Sequence, residues 1–335
     1  MSRLLQAWYR PESWTRLFSP LAWMFCGIAT SRRRRLQAEY QGKPFAVPLV
    51  VVGNIAVGGT GKTPLLIGLV RQLRAEGIAP GIVSRGYGGT AGATPLVVHS
   101  DSAVEACGDE ALLIARETAC PTVVCSDRRA AVQHLLASFA VDVILSDDGM
   151  QHYRLHRDME IAVVDARRGL GNGLCLPAGP LREPPSRLLE VDAVVINGTA
   201  PAGGFSSLAE LGTPESTVFE MTLRPLRFTH LASGEQVACD AWALARNVHA
   251  VAGIGNPARF RDTLVQLGLA PQLHAFADHH RFSSRDLAFD DDLPIIMTAK
   301  DAVKCESWAD ARCWRLDVEA DIDPILAKNI VNLIN

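Results

Sequence analysis

The stretch Gly53-Asn54-Ile55-Ala56-Val57-Gly58-Gly59-Thr60-Gly61-Lys62-Thr63 constrains the fold more than any other part of the chain. It follows a short β-branched run, Pro48 to Gly53, and opens an amphipathic pattern from Thr63 to about Ala75. Strand, glycine-rich turn and helix in that order are the context of a P-loop. The glycines let backbone N–H groups turn inward around phosphate oxygens, and the helix N-terminus adds partial positive charge. Lys62, at a solvent-facing loop end, would reach the β/γ-phosphates, and Thr63 would offer its hydroxyl to Mg²⁺. The expected nucleotide loop is therefore Ala56, Val57, Gly58, Gly59, Thr60, Gly61, Lys62 and Thr63, and the expected cofactors are ATP and Mg²⁺. Ala56 departs from the strict motif, which has Gly there.

Further short apolar runs follow, at Ala79 to Ser84, Leu96 to His99, Thr122 to Ser126, Val141 to Leu145, Ile161 to Asp165 and Ala193 to Asn197. Helical patterns at Asp109 to Thr118 and Arg128 to Phe139 alternate with them, which implies an open, mostly parallel α/β sheet. The run from Val141 ends in Asp147-Asp148, where a strand-end carboxylate can hold Mg²⁺ directly or through water. Residues 199–216 are rich in Gly, Ser, Pro and Ala and read as a linker. Val218 to Val237 reads as a hairpin turning at Ala232 to Glu235. Alternation then restarts with strands at Val248 to Ala252 and Ile295 to Thr298 and helices at Pro257 to Leu267 and Pro324 to Ile334. The expected division is 1–35, an N-terminal helical segment; 36–217, a P-loop α/β domain; 218–238, a hairpin linker; and 239–335, a smaller α/β domain.

The net charge of -3 excludes wholesale binding to nucleic acid. That charge is unevenly placed, because residues 1–48 hold eight Lys and Arg against two acids. Trp14, Leu17, Phe18, Leu21, Phe25 and Ile28 make one apolar helical face, with Arg32 to Arg35 just beyond. The apolar run is shorter than the roughly 20 residues of a spanning helix. Trp8, Trp14 and Trp23 with the arginines suit a membrane–water interface; a helix lying on a membrane is expected here, and an ordinary helix packed on the domain stays open as the alternative. Ser19-Pro20 marks a helix start and a break between two short helices. The eight cysteines form no C-x-x-C pair and fit neither a zinc site nor a disulfide framework.

In order along the chain, Val57 to Pro64, Ser84-Arg85-Gly86-Tyr87-Gly88, Gly108-Asp109-Glu110-Ala111, Asp147 to His152, Leu176 to Pro184, Gly253 to Pro257, Asp278-His279-His280 and Thr298 to Lys304 resemble the signatures of the tetraacyldisaccharide 4'-kinase family. Met150 stands where that family more usually has Phe, and Ala299 where Glu is common. The resemblance implies transfer of phosphate from ATP to the 4'-hydroxyl of a tetraacylated glucosamine disaccharide 1-phosphate, in lipid A biosynthesis. It implies a P-loop NTPase-like α/β/α sandwich joined through a β-hairpin to a smaller α/β domain, with the site in the cleft between them. It also implies residence on the cytoplasmic face of the bacterial inner membrane, and no stable protein partner is expected.

By that resemblance Asp109 is the base toward the sugar hydroxyl and His279 its partner, with Lys62 as the third catalytic group. Taken alone, Asp109 reads first as a carboxylate favouring a helix dipole, and His279 as a surface histidine. Asp147 and Asp148 are assigned to Mg²⁺ and phosphate. Arg128, Arg129 and Arg182 are candidates to neutralise phosphate, with Glu110 and Glu183 flanking them. On the motifs alone, a soluble metabolite kinase or a partner-regulated ATPase stays open.

Overall fold

The structure is a computed structural model that describes residues 3–10, 12–39, 44–199, 212 and 214–334. The tract 199–216 lies mostly outside these residues, as does Lys43. The N-terminal part of the sheet holds β1 (Leu49–Gly53), β2 (Pro80–Ser84), β3 (Leu96–Val98), β4 (Thr122–Val124), β5 (Val143–Asp147), β6 (Met159–Asp165) and β7 (Ala193–Asn197). These run in the order β7-β6-β1-β5-β2-β4-β3, parallel except at β3–β4. All five residues of β1 are buried, as expected of a central parallel strand covered on both faces. Leu49 and Val51 pack with Leu135 and Ile144 on one side, and Val50 and Val52 with Leu65 and Leu69 on the other. The helix Lys62–Ala75 buries Leu65, Leu66, Leu69, Val70 and Leu73 along one stripe, which pins the start of that helix at the end of β1.

The C-terminal part holds β8 (Val218–His230), β9 (Gln236–Ala238), β10 (Asn247–Ala252), β11 (Ala270–Ala275), β12 (Ile295–Thr298) and β13 (Cys313–Ile322). Its strands run β11-β10-β12-β13-β8, and β8 also pairs in parallel with β7, so the described strands form one continuous sheet. The expected hairpin exists but is short, with Arg227 to Thr229 opposite Gln236 to Ala238. The long partner of β8 is instead β13, antiparallel from Trp314↔His230 to Ile322↔Met221. The sequence reading missed β13 although Trp314, Leu316, Val318, Ala320 and Ile322 alternate with charged residues in a period of two. It also missed β11, an edge strand carrying Pro271, which edge strands tolerate.

The N-terminal segment is a short helix, Arg3–Trp8, a single tight turn, Trp14–Phe18, and one helix, Ser19–Glu39. Pro20 therefore begins the long helix, with the short turn before it. Ala22, Arg33 and Leu36 face the protein, and Arg33 pairs with Glu190. The predicted apolar face remains uncovered: Leu17 is 82% exposed, Leu21 48% and Ile28 61%, and Trp23, off that face, is exposed too. Trp8 departs from the interfacial expectation. It is buried and donates from Nε1 to the Pro177 carbonyl at 3.0 Å, docking the chain start on the loop behind the P-loop. Among the described residues no helix is long and apolar enough to cross a membrane.

Candidate active site

Lys62, Thr63, Asp109, Asp147 and Asp148 sit at or just beyond the carboxyl end of a strand or at the start of a helix, where open α/β sheets bind ligands, and Arg182 comes from the loop after β6. The P-loop leaves β1 and is held from three sides. Asn54 Nδ2 donates to Thr60 Oγ1 at 3.1 Å, Val57 N–H to the Pro180 carbonyl at 2.8 Å, and Asn197 Nδ2 to the Thr60 carbonyl at 2.8 Å. Ala56 bridges Leu181 and is buried, so its methyl group packs behind the loop. Gly61 has φ +101° and a Cβ there would collide with Asn197 Nδ2, so both backbone and space require glycine. Gly255, from the other half of the chain, passes so close to Gly59 that a side chain there would strike the Gly59 amide.

Lys62 is not the solvent-facing side chain expected. Its side chain is 11% exposed and its Nζ lies 3.4 Å from Asp148 Oδ1, with Arg182 3.6 Å from the other oxygen. Burial works against the Asp148 charge, but Lys62 and Arg182 outweigh it and hold that carboxyl below its ordinary range. Asp147 accepts from Ser84 Oγ at 3.0 Å through Oδ2, while its Oδ1 is buried with no hydrogen-bond partner. Burial, with Glu110 and Asp148 nearby, pushes the Asp147 carboxyl up to about 7. A buried, unpartnered carboxylate oxygen on the strand next to β1, within reach of the Lys62 charge, fits Mg²⁺, which takes one or two carboxylates together with phosphates.

The opposite wall approaches closely. His279 Nδ1 lies 3.2 Å from both carboxylate oxygens of Asp109, across 170 positions of sequence. Asp109 starts the helix Asp109–Thr118 directly after Gly108, whose φ of +87° turns the chain into it. Lys304 Nζ is 3.6 Å from Asp109, and Lys300 Nζ is 2.8 Å from Glu110 and 3.1 Å from Asp278. Burial raises the Asp109 carboxyl, but the His279 hydrogen bond with Lys300 and Lys304 leaves it lowered overall. For His279 burial acts downward, yet the Asp109 hydrogen bond wins and the imidazole is raised. The Tyr87 ring packs on the imidazole with centroids 4.5 Å apart. Asp148 and His279 both have left-handed φ, +48° and +59°. Such non-glycine conformations are costly and concentrate at functional sites.

A cavity of about 250 Å³ between the two halves is lined by Lys62, Thr63, Glu110, Asn197, Arg259 and Lys300, among others. Arg259 reaches from the second half to donate to Asn197 Oδ1 at 2.9 Å.

Three candidates lie apart from this arrangement. Arg128 is 3% exposed and donates to the carbonyls of Asp147 at 2.9 Å and Cys125 at 3.2 Å, so it braces the end of β5. Arg129 is exposed on the same helix start. Glu183 is buried, accepting from Gln151 Nε2 at 2.8 Å with Arg187 at 3.4 Å, so it acts behind Arg182. Lys300, Lys304, Tyr87 and Asp278 received no role from sequence reasoning. The available signal was the pair of lysines four apart just after a strand end, which a short helix aims into the cleft.

A loop shaped for phosphates, with a carboxylate of its own half paired across the cleft to an imidazole of the other half, fits a P-loop kinase. The chain belongs to the tetraacyldisaccharide-1-P 4'-kinase family, whose pattern matches residues 14–335. It is 48% identical over 319 residues to the tetraacyldisaccharide 4'-kinase of Pseudomonas putida (strain W619), covering 95% of this chain and 91% of that protein. It is 47% identical over 328 residues to the enzyme of the same name from Azotobacter vinelandii (strain DJ), covering 97% and 94%. The crystal structure of "apo" form LpxK from Aquifex aeolicus in complex with ATP superimposes with a TM-score of 0.76 at 26% identity, covering 96% of this chain and 99% of that one.

Proposed function

We propose that this chain transfers the γ-phosphate of ATP to the 4'-hydroxyl of a tetraacyldisaccharide 1-phosphate, with Asp109 as the base. The observation that carries the assignment of Asp109 is its contact with His279 across the cleft, beside the P-loop. In the step, the sugar oxygen forms a bond to the γ-phosphorus as the bond to ADP breaks, and the hydroxyl proton passes to an Asp109 oxygen. Lys62 and Arg182 face the phosphates, and Asp148 orients Lys62. When bound, Mg²⁺ at Thr63 and the Asp147–Asp148 pair neutralises phosphate charge. The division of the chain at 218–238 supplies the two walls between which nucleotide and sugar meet. The test is a transfer assay with ATP and the dispersed lipid, read by mass spectrometry. One added phosphate at the 4'-position is expected, with ATP consumed only when lipid is present. ATP consumption of equal rate without lipid would sink the reading in favour of an ATPase.

The uncovered residues Leu17, Leu21, Trp23 and Ile28 support docking of the N-terminal helix into the cytoplasmic leaflet of the inner membrane. Burying one such side chain is worth about 1.5–3 kcal/mol. Leu17→Glu with Trp23→Glu should therefore lower partitioning to anionic vesicles at least roughly tenfold. Nucleotide affinity should stay unchanged, since these side chains are exposed and away from the loop. Sedimentation with vesicles measures the first and a nucleotide titration the second. Undiminished sedimentation would remove this face from membrane contact.

A further inference from the structure

Arg168 stands over the P-loop without a counter-charge. It follows β6, and Asp165 fixes the turn that carries it. Asp165 Oδ1 accepts the N–H groups of Arg167 and Arg168 at 3.0 Å each, and its carbonyl accepts the Gly169 N–H at 2.8 Å. The guanidinium then lies beside the loop. Gly58 has φ +101°, and a Cβ there would meet one group within 4 Å, Arg168 Nη1 at 3.6 Å. Arg168 Nη2 donates to the Gly255 carbonyl, and the Tyr9 ring lies under the guanidinium, its centroid 5.3 Å away. A guanidinium carries five N–H donors and no acceptor. The Gly255 carbonyl and the Tyr9 hydroxyl leave donors over. Acids in the neighbourhood are engaged by other arginines, Asp262 by Arg167 and Asp165 by Arg259, while Arg168 has no ion pair among the described residues. A half-buried cation with no counterion is costly, and a phosphate loop is where an anion arrives.

We infer that Arg168 is an arginine finger supplied by the chain itself, giving its free N–H edge to the γ-phosphate during transfer. This rests on the reading of the chain as a kinase and deepens it. The transferring phosphoryl group spreads charge over its three oxygens, and an arginine finger stabilises that charge. Lys62 and Arg182 share their charge with Asp148. Arg168 has no such carboxylate, so its whole charge is available to phosphate. Its planar fork lets one N–H hold the Gly255 carbonyl while another meets a phosphate oxygen. Gly255 belongs to the second half, so the guanidinium is aimed at the loop only while the two halves are in contact. Tyr9 supports it with a ring face, which favours cations. As the sugar oxygen bonds to the γ-phosphorus and ADP leaves, Arg168 keeps its protons and forms no covalent bond.

The experiment compares transfer rates and nucleotide affinities of the full chain. Arg168→Met should lower kcat by about 10²–10³-fold, the loss seen when one preorganised donor facing transition-state charge is removed. Affinity for ADP, which lacks the γ-phosphate, should stay close to wild type. A latch that merely held Gly255 to the loop would instead let ADP affinity fall along with the rate. An unchanged kcat, or an ADP affinity that falls as far as kcat does, would overturn the inference. Arg168→Lys keeps the charge and the stem and should recover only part of the rate, because an ammonium lacks the fork. Full recovery would remove the guanidinium from the step. A third measurement needs no variant. Wild type is treated with phenylglyoxal, which reacts with arginine, and peptide mass spectrometry follows Arg168. Saturating ATP with Mg²⁺ should protect Arg168 more than saturating ADP with Mg²⁺ does, and equal protection would sink the contact with the γ-phosphate. Transfer by wild type to the lipid is the control. Its absence would strike the kinase reading itself, whereas transfer that survives Arg168→Met at full rate strikes only the finger.

Discussion

Asp109→Ala and His279→Ala should each lower kcat by about 10²–10⁴-fold, the usual worth of general-base help, and the double variant should be scarcely slower than the slower single. The expectation follows from the geometry. One imidazole nitrogen contacts both oxygens of one carboxylate at 3.2 Å, so removing either group removes the same device. Residues that act as a unit are non-additive in this way. The Asp109 carboxyl is held below its ordinary range, which makes it a weak base for a sugar hydroxyl, and it accepts the proton late, as the Asp of protein kinases does. KM for ATP should change little, because neither side chain holds the P-loop. Activity should rise with pH through the raised His279 value, as the imidazolium that weakens the base is lost. The same pairing stabilises the fold in a defined window. The Asp109 contribution is lost as pH falls through its depressed value, and the His279 contribution as pH rises through its raised value. Steady-state kinetics of the three variants decide the matter. Multiplicative losses would make the two residues independent.

Lys62→Met should abolish transfer almost completely, by at least about 10²–10³-fold, the loss seen when one preorganised group facing transition-state charge is removed. Met keeps the apolar stem, so the cleft wall stays packed. The variant leaves Asp148 with Arg182 alone, at 3.6 Å. That carboxyl should then rise, and because the site is largely shielded, some thermal stability should be lost as well. Kinetics are therefore to be measured well below the variant's melting temperature. Turnover near wild type at saturating ATP would refute the role of Lys62 at the phosphates.

Much of the first half was legible because its signals are local. The P-loop is a strand, a turn and a helix in one continuous stretch, and each piece depends on residues within a few positions of itself. Asp147-Asp148 was legible for the same reason, as the end of an apolar run. The exposed face of the N-terminal helix was legible from spacing alone, since periodicity reports which residues share a side. Trp8 was not, because its burial depends on the loop carrying Pro177, 169 positions away. Arg128 shows the same limit. Beside Arg129 it resembles a phosphate ligand, but the end of β5 takes its donors. The continuous sheet hinges on β8 finding β13, a pairing across nearly a hundred residues.

By itself the sequence determined a nucleotide loop, an α/β alternation and, through motifs in order, a family. Those follow from hydrophobic period, turn chemistry and residue order, which short windows of chain carry. The pairing of Asp109 with His279 came from the sequence only through that family; only the tertiary structure decided the contact itself, that Lys300 fills its three donors between Glu110, Asp278 and that imidazole, and that Lys62 is enclosed against Asp148. A carboxylate at a helix start is ordinary until a distant strand end brings a cation and an imidazole within hydrogen-bond reach. Burial and charge pairing set protonation, and both are properties of where the chain returns in space.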